Sequence, residues 1–227
     1  MKTRHIVSGC LLLLAATSTQ AGNFTVGVEA INYAPLYNGS NGSYTGYARD
    51  LLDAFGKQYG HTFTYKALPV SRLFDEFVGG HELDFKFPDN PDFQPDTKKG
   101  VRISYSAPAV NVVEGMLVLP AKQGRGLAQI KTIATMRGFT AWPVLTQIKN
   151  GSIKVTEANS FDSLIQQGTN GDVDAVYTST IVINYNLNKL GTPGALVLDK
   201  SLPQDHAAFE LCKRPTAPPS RALNPQT

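Results

Sequence analysis

The sequence predicts an α/β protein of two similar lobes, each with a mainly parallel sheet flanked by helices. A short unit occurs twice, in residues 71–87 and again in residues 160–177. Each copy opens with a serine that can cap a helix, continues with apolar residues at helical spacing, and reaches glycine before an aspartate and a short apolar strand. Because a helix leading into a strand is half of a βαβ element, two copies indicate two lobes.

The first 21 residues have the pattern of an export signal. Lys2 and Arg4 precede an apolar run over residues 6–16, and small residues occupy the two positions that a signal peptidase reads. We therefore predict that the mature chain begins at Gly22 and that the protein is periplasmic. No later segment approaches the roughly 20 apolar residues that a membrane-spanning helix needs.

The mature chain begins with alternating elements. Residues 24–29 alternate as a buried strand does, and a loop rich in Asn, Gly, Pro and Tyr follows. Residues 46–60 carry apolar side chains on one stripe and end in glycine, which predicts a helix, and residues 62–67 predict a second strand. Strands that alternate with helices pair in parallel, so the loops at their carboxyl ends should converge on a crevice.

Residues 103–119 form a long extended segment that contains Pro108. We interpret this segment as a strand that leaves one lobe and enters the other, and residues 201–204 as the return. The two crossings, near residues 107–112 and 201–204, would form a hinge. The resulting division assigns residues 22–112 and 203–227 to lobe 1 and residues 113–202 to lobe 2.

The order of these motifs resembles the bacterial extracellular solute-binding proteins of family 3, which have the type II periplasmic binding fold. The resemblance covers about residues 24–209. Five features in the right order carry it, and none is specific alone. They are Tyr33 with Pro35, the helix start Gly46-Tyr-Ala-Arg-Asp50, the turn from Gly80 to Asp84, the segment Tyr105-Ser-Ala-Pro108, and Asp174-Ala-Val.

Two departures from the family pattern concern the ligand. Amino acid binders of this family usually hold the α-carboxylate with an arginine shortly before the segment that contains Tyr105, and the residues here are Thr97-Lys98-Lys99-Gly100. They usually hold the α-ammonium with an aspartate after the Asp-Ala pair, where this chain has Tyr177 and Thr178. Each lost charge-assisted contact is worth roughly 1.5–3 kcal/mol. We therefore expect a ligand other than an ordinary α-amino acid.

A third departure lies at the end of the chain. Members of the family close with helices on the first lobe, but residues 212–227 contain four prolines and cannot form one continuous helix. The composition changes so abruptly after Leu211 that a frameshift or truncation is a fair hypothesis.

Ten residues at strand ends or helix starts are candidates for ligand contacts. Tyrosines beside the first loop can stack on a planar or sugar-like ligand or pack in the core. Arg72 is predicted in the first turn of a helix, where its positive charge interacts unfavourably with the helix dipole unless an anion is near. That anion is either a ligand or a neighbouring carboxylate such as Glu76. Asp89 and Asn159 either face the cleft or cap a turn or helix. The set is Tyr33, Tyr47, Arg72, Phe87, Asp89, Ser106, Arg137, Trp142, Asn159 and Tyr177.

The composition argues against several other functions. The formal charge is +3 and falls to +1 without Lys2 and Arg4, so we expect no nucleic-acid partner. The sequence lacks the common hydrolase and P-loop motifs and His spacings for a metal, so we expect no enzyme, metal or cofactor. Of the two cysteines only Cys212 survives cleavage, which leaves no internal disulfide.

The resemblance implies an exported, monomeric binding protein that captures a small polar ligand in the cleft between its lobes for an ABC-type uptake system. Its partner would be an ABC permease or a membrane sensor. The alternatives are a periplasmic sensor or orphan ligand-binding domain without a transport role, and a nonfunctional relic with an altered end.

Overall fold

The computed structural model describes residues 21–80 and 82–214 and has the predicted α/β architecture. The export signal predicted for residues 1–21, apart from its last residue, lies outside the described residues. The same is true of His81 and of the proline-rich residues 215–227.

The first part of the chain alternates strands and helices as predicted. The elements are β1 Asn23–Glu29, β2 Asn32–Tyr33, β3 Tyr37–Asn38, α1 Tyr47–Tyr59, β4 Thr62–Leu68, α2 Val70–Gly79, β5 Phe85–Asp89, α3 Pro95–Lys98 and β6 Ser104–Tyr105. The glycine that ends α1, Gly60, adopts the left-handed conformation expected of a helix stop, with φ 73°.

The second part repeats the alternation. The elements are β7 Val110–Val118, β8 Thr132–Met136, α4 Leu145–Lys149, β9 Lys154–Ala158, α5 Phe161–Thr169, β10 Ala175–Ser179, α6 Thr180–Lys189, β11 Val197–Leu198 and β12 Gln204–Lys213. A short 3-10 turn at Trp142–Val144 precedes α4. None of the described helices combines the length and the apolar character that crossing a membrane requires.

One sheet of the described residues runs through the whole molecule in the order β4-β1-β5-β12-β7-β10-β8-β9. We call β4, β1, β5, β6 and the end of β12 the first half-sheet, and β7 to β11 with the start of β12 the second half-sheet. Each half-sheet has a parallel core of three strands, β4-β1-β5 and β10-β8-β9. The flanking strands β7, β11 and β12 pair antiparallel.

Strand β12 belongs to both half-sheets. Its first six residues pair with Val110 to Gly115 of β7, and its last residues pair with β5 and with the short β6. A register shift between Glu210 and Cys212 lies within the pairing of β12 with β5. The buried core is likewise continuous, because Phe87 of the first half-sheet and Val176 of the second belong to one apolar cluster.

The repeated unit has the predicted form, with one correction. Ser160 caps α5, since its hydroxyl accepts a hydrogen bond from the Ser163 amide at 3.2 Å. The prediction that Ser71 caps α2 is wrong, because α2 begins one residue earlier behind Pro69 and has no side-chain cap. Proline fixes φ and starts the helix there, so Ser71 lies within the first turn. α2 ends at a left-handed Gly80 (φ 76°), whereas α5 runs past Gly168 to Thr169.

The two aspartates of the repeated unit play equivalent structural roles. Asp84, before β5, accepts a hydrogen bond from the Thr25 amide at 2.8 Å at the start of β1. Asp174, before β10, accepts hydrogen bonds from the amides of Lys131 and Thr132 at 2.9 and 3.0 Å and from the Thr132 hydroxyl at 3.1 Å, at the start of β8. Each carboxylate therefore fixes the point at which two neighbouring parallel strands enter the sheet.

These contacts predict graded losses of stability. Asp174→Ala removes the acceptor of three hydrogen bonds and should lower the free energy of unfolding by about 1–3 kcal/mol. Asp84→Ala removes one exposed bond and should cost about 1 kcal/mol or less. Asp172→Ala, at an exposed aspartate two residues from Asp174, is the matched control and should change little. Urea unfolding of the three variants measures the difference, and equal values for Asp172→Ala and Asp174→Ala would contradict this role.

Candidate functional site

A cavity lies between the two half-sheets, where the carboxyl ends of their parallel strands meet. It has about 480 Å³ of empty volume, including space open to solvent. The loops after β4, β5 and β8 and the last residue of β1 all contribute, which is the usual position of a ligand crevice in an open α/β sheet. The lining residues are Glu29, Tyr37, Val70, Phe74, Pro88, Phe93, Gln94, Glu114, Gly138, Phe139, Thr140, Trp142 and Phe209.

Six of the thirteen residues that line the cavity are aromatic. Phe74 and Phe93 come from the first half of the chain, Phe139 and Trp142 from the loop after β8, and Phe209 from β12. The last lining aromatic is Tyr37 of β3. The wall therefore combines rings from the helix and loops attached to each half-sheet with a ring from β12, the strand that joins the two.

The two sides of the cavity approach closely at one glycine. Gly138 follows β8 and has φ 84°, which non-glycine residues rarely adopt. A Cβ atom built on it would lie 3.2 Å from the Cβ of Val70, the first residue of α2. Glycine at this position allows the loop of the second half-sheet to contact the helix start of the first.

Among the residues that the structure describes, two carboxylates are the only charged groups that line the cavity. Glu29 is the last residue of β1, and Glu114 lies in β7 at the junction with β12; they are 4% and 6% exposed. The Tyr37 hydroxyl donates a hydrogen bond to Glu29, and the Tyr33 hydroxyl donates one to Oε1 of Glu114 at 3.1 Å. Within the described ranges, no lysine, arginine or histidine forms a salt bridge with either carboxylate.

Burial changes the protonation of both carboxyl groups. Loss of hydration raises the pKa of Glu114 to about 7, an effect that the Tyr33 hydrogen bond opposes and the charges of Asp205 and Glu29 reinforce. Burial also raises the pKa of Glu29, although the charge of Lys86 opposes that shift. Glu114 therefore changes charge near neutral pH.

A buried ionic cluster lies next to the cavity without lining it. Asp89 is 3.5 Å from Nζ of Lys86 and 3.2 Å from Nζ of Lys98, and its Oδ2 accepts a hydrogen bond from the Cys212 thiol at 3.1 Å. Lys86 lies 3.9 Å from the centre of the Phe74 ring, whose residue lines the cavity. Asp89 thus neutralises two buried lysines and neither lines the cavity nor caps a turn.

Three of the ten residues selected from the sequence lie at or around the cavity. Trp142 lines it. Tyr33 is buried beside it, and its hydroxyl donates a hydrogen bond to Glu114. The centre of its ring lies 5.7 Å from that of Phe139 and 5.6 Å from that of Phe161. Tyr177 is buried in β10 and lies near enough to Glu114 to lower the pKa of that carboxyl, although its hydroxyl has no partner of standard hydrogen-bond geometry among the described residues.

The other predicted residues do not line the cavity. Phe87 is buried in β5, next to the Asp89 cluster. Arg72 is exposed and pairs with Glu76 at 2.8 Å, which is the salt-bridge alternative. The remaining four are exposed and also lie outside the lining: Tyr47 in α1, Ser106 beside β12, Arg137 near Glu157, and Asn159 before α5.

Sequence reasoning missed both carboxylates and most of the aromatic wall. Glu29 and Glu114 occur in strands that read as buried and apolar, and a charged residue in such a strand was the available signal. Phe74 and Phe209 carried no distinguishing signal, because buried phenylalanine is common in any core.

The fold has many solved counterparts of low sequence identity. An ancestral arginine-binding protein bound to arginine has 19% identity and a TM-score of 0.65, over 86% of this chain and 85% of that one. The ancestral amino acid-binding protein AncCDT-1, a precursor of cyclohexadienyl dehydratase, has 20% identity and a TM-score of 0.64, over 86% of this chain and 82% of that one. The arginine-, lysine-, histidine-binding protein ArtJ from Geobacillus stearothermophilus has 23% identity and a TM-score of 0.62, over 85% of this chain and 82% of that one. The sequence matches no protein-family model and no curated protein.

The protonation of Glu114 predicts a pH-dependent effect on stability. Its pKa is higher in the folded chain than the ordinary value of 4.5, so the folded state holds more protons and its stability falls as pH rises from about 4.5 to 7. Glu114→Gln should therefore raise the free energy of unfolding of the ligand-free protein by about 2–3 kcal/mol at pH 8 and by little at pH 5.

Urea unfolding at the two pH values measures this effect. Glu82→Gln, at an exposed glutamate paired with Lys66, is the matched control and should show no comparable gain at pH 8. An equal effect of Glu114→Gln at pH 5 and pH 8 would contradict the pKa assigned to this carboxyl.

Proposed function

We propose that this protein, which has the two-lobed fold of the type II periplasmic binding proteins, is an exported solute-binding protein that captures a small polar ligand without transforming it. The observation that carries the proposal is the cavity at the junction of the two half-sheets, lined by residues from both. The names of the structural counterparts, two of which include arginine binding, support a solute-binding role.

Capture would use a hinge between two lobes. We place lobe 1 at residues 22–112 and 203–227, and lobe 2 at residues 113–202, with crossings near residues 107–112 and 201–204. The pairing of β7 with β12 supports this assignment, because it places the two segments that would cross between the lobes on adjacent strands, with Val112 opposite Ala207 and Gly115 opposite Gln204. A ligand that contacts Phe74 on one side and Trp142 on the other would stabilise the closed form, since only that form completes both sets of contacts.

The closed form would then report ligand occupancy to a membrane partner. On the basis of the export signal, we propose that the protein is periplasmic. We further propose that it is a monomer that delivers its ligand to an ABC-type permease. A membrane sensor as the recipient is the alternative role for the same closure. Neither role requires chemistry in the cavity.

The single tryptophan provides the test, because Trp142 lies in the cavity wall. Mature protein from Gly22 is titrated with amino acids, amines, dicarboxylates, sugars and phosphates while tryptophan fluorescence and thermal unfolding are recorded. A ligand at a hundred times its dissociation constant should add about 2.7 kcal/mol and raise the unfolding temperature by several degrees, at roughly 2–4 °C per kcal/mol. The same ligand should change the Trp142 emission.

Two controls make the result specific. Trp142→Phe should lose the fluorescence signal and keep a thermal shift, because phenylalanine preserves an aromatic surface in the wall. Mass spectrometry should recover the ligand unchanged after incubation; a transformed ligand would instead indicate an enzyme that uses Glu114 as an acid or base. A folded protein that responds to no member of the panel would contradict the proposed function.

A further inference from the structure

We propose that the cavity selects small organic cations that carry no carboxylate. The inference rests on the proposed function and names the class of solute. It follows from three features of the cavity: the sign of its buried charges, the chemistry of its wall, and the hydrogen bonds that its carboxylates leave unfilled.

The buried charges of the cavity are all negative. Glu29 and Glu114 line it, and no lysine or arginine is among the lining residues. The buried ammonium groups of Lys86 and Lys98 lie outside the lining, where both are paired with Asp89, although the charge of Lys86 also acts on Glu29. A ligand carboxylate would therefore lose water, meet no cation and face two groups of its own sign, whereas a cation would be attracted to both.

The wall suits an organic cation better than a metal ion. Six aromatic residues line the cavity, and the face of an aromatic ring attracts an alkylammonium or guanidinium group that lies within about 6 Å. Tryptophan is the strongest of these partners. Metal ions need several oxygen, nitrogen or sulfur ligands, and the described residues contain no group of three His, Cys, Asp or Glu side chains that could hold one.

Each carboxylate also has unused capacity to accept hydrogen bonds. Tyr37 donates to one oxygen of Glu29 and Tyr33 donates to one oxygen of Glu114. No other described side chain makes a hydrogen bond of standard geometry to either group, although the Tyr177 hydroxyl lies near enough to Glu114 to lower its pKa. Both glutamates are more than nine-tenths buried. An ammonium or guanidinium group has several donors and would satisfy these oxygens while it neutralises their charge.

Proton linkage provides a signature of this interaction. The groups that face Glu114 are Tyr33, Tyr177, Asp205 and Glu29, and none of them is a cation. At pH 7 a large share of Glu114 is protonated, because its pKa is raised to about 7. A bound cation stabilises the ionised carboxylate, so binding should release a proton.

The experiment compares amines with the amino acids that differ from them by one carboxylate. Calorimetry at pH 7.5 measures agmatine against arginine, putrescine against ornithine, and phenethylamine against phenylalanine, with tetramethylammonium as a permanently charged probe. At least one amine should bind at least about tenfold more tightly than its amino acid, the difference expected from one unfavourable buried charge. Tetramethylammonium should bind about tenfold more tightly at pH 8 than at pH 6, because its own charge is constant and that of Glu114 is not.

Variants assign the effect to the carboxylate. Glu114→Gln should weaken the binding of the preferred amine by about ten- to a hundredfold and abolish its proton release, measured in buffers of different ionisation enthalpy. Glu82→Gln should leave affinity and proton release unchanged. Thermal unfolding of Glu114→Gln confirms that the variant is folded, so a loss of binding reports on the cavity.

The outcomes separate the inference from the function on which it rests. An amino acid that binds as tightly as its amine, or binding of sugars, phosphates or dicarboxylates alone, would overturn the inference and leave a solute-binding protein. An amine that binds equally well to Glu114→Gln, without proton release, would also overturn it. Failure of every probe of every class to bind the folded protein would overturn the proposed function itself.

Discussion

The antiparallel pairing of β7 with β12 is the contact on which the rest of the structure depends. β12 completes the first half-sheet beside β5 and the second beside β7, so the two half-sheets share one strand. The same pairing places Glu114 opposite Asp205 at the junction and brings Phe209 into the cavity wall. A long-range pairing of this kind cannot be replaced by local propensity, because neither half-sheet can complete its edge without it.

The cavity combines groups that are unfavourable for folding when no ligand is present. Two carboxylates are buried without a salt-bridge partner in the described chain, and their hydroxyl donors come from tyrosines that are themselves buried. Natural proteins tolerate such arrangements where function requires them, and the apolar core that spans both half-sheets compensates for the cost. A binding site built this way has low stability alone and gains most from a ligand of opposite charge.

Much of the fold could be predicted from the sequence because its signals are local. The stripe of α1, its glycine stop and the repeated unit depend on residues a few positions apart, and they appear where predicted. Ser71 was misread because the residue that precedes the first turn of α2 is Pro69, two positions earlier. A proline two positions before a serine offers two helix starts, and only the packing of the helix decides between them.

Less of the candidate site could be predicted, because its geometry is long-range. Tyr33 and Glu114 are 81 positions apart, and only the joined sheets bring them together. The position of Arg72 at a helix start is evident from the sequence, but its choice of Glu76 as a partner depends on rotamers. Sequence reasoning indicated a cleft without the arginine and the aspartate that usually hold an amino acid, whereas the identity of its acidic residues required the sheet.

The position of Cys212 has a consequence for the redox chemistry of the chain. The thiol is fully buried in β12, and burial followed by the nearby charge of Asp89 raises its pKa well above the ordinary range. Disulfide exchange requires an accessible thiolate, so this cysteine can neither couple two copies of the protein nor react with an oxidant while the chain is folded. In an oxidising compartment the folded state would thus keep the Cys212 thiol reduced, and oxidation of Cys212 would report on unfolding.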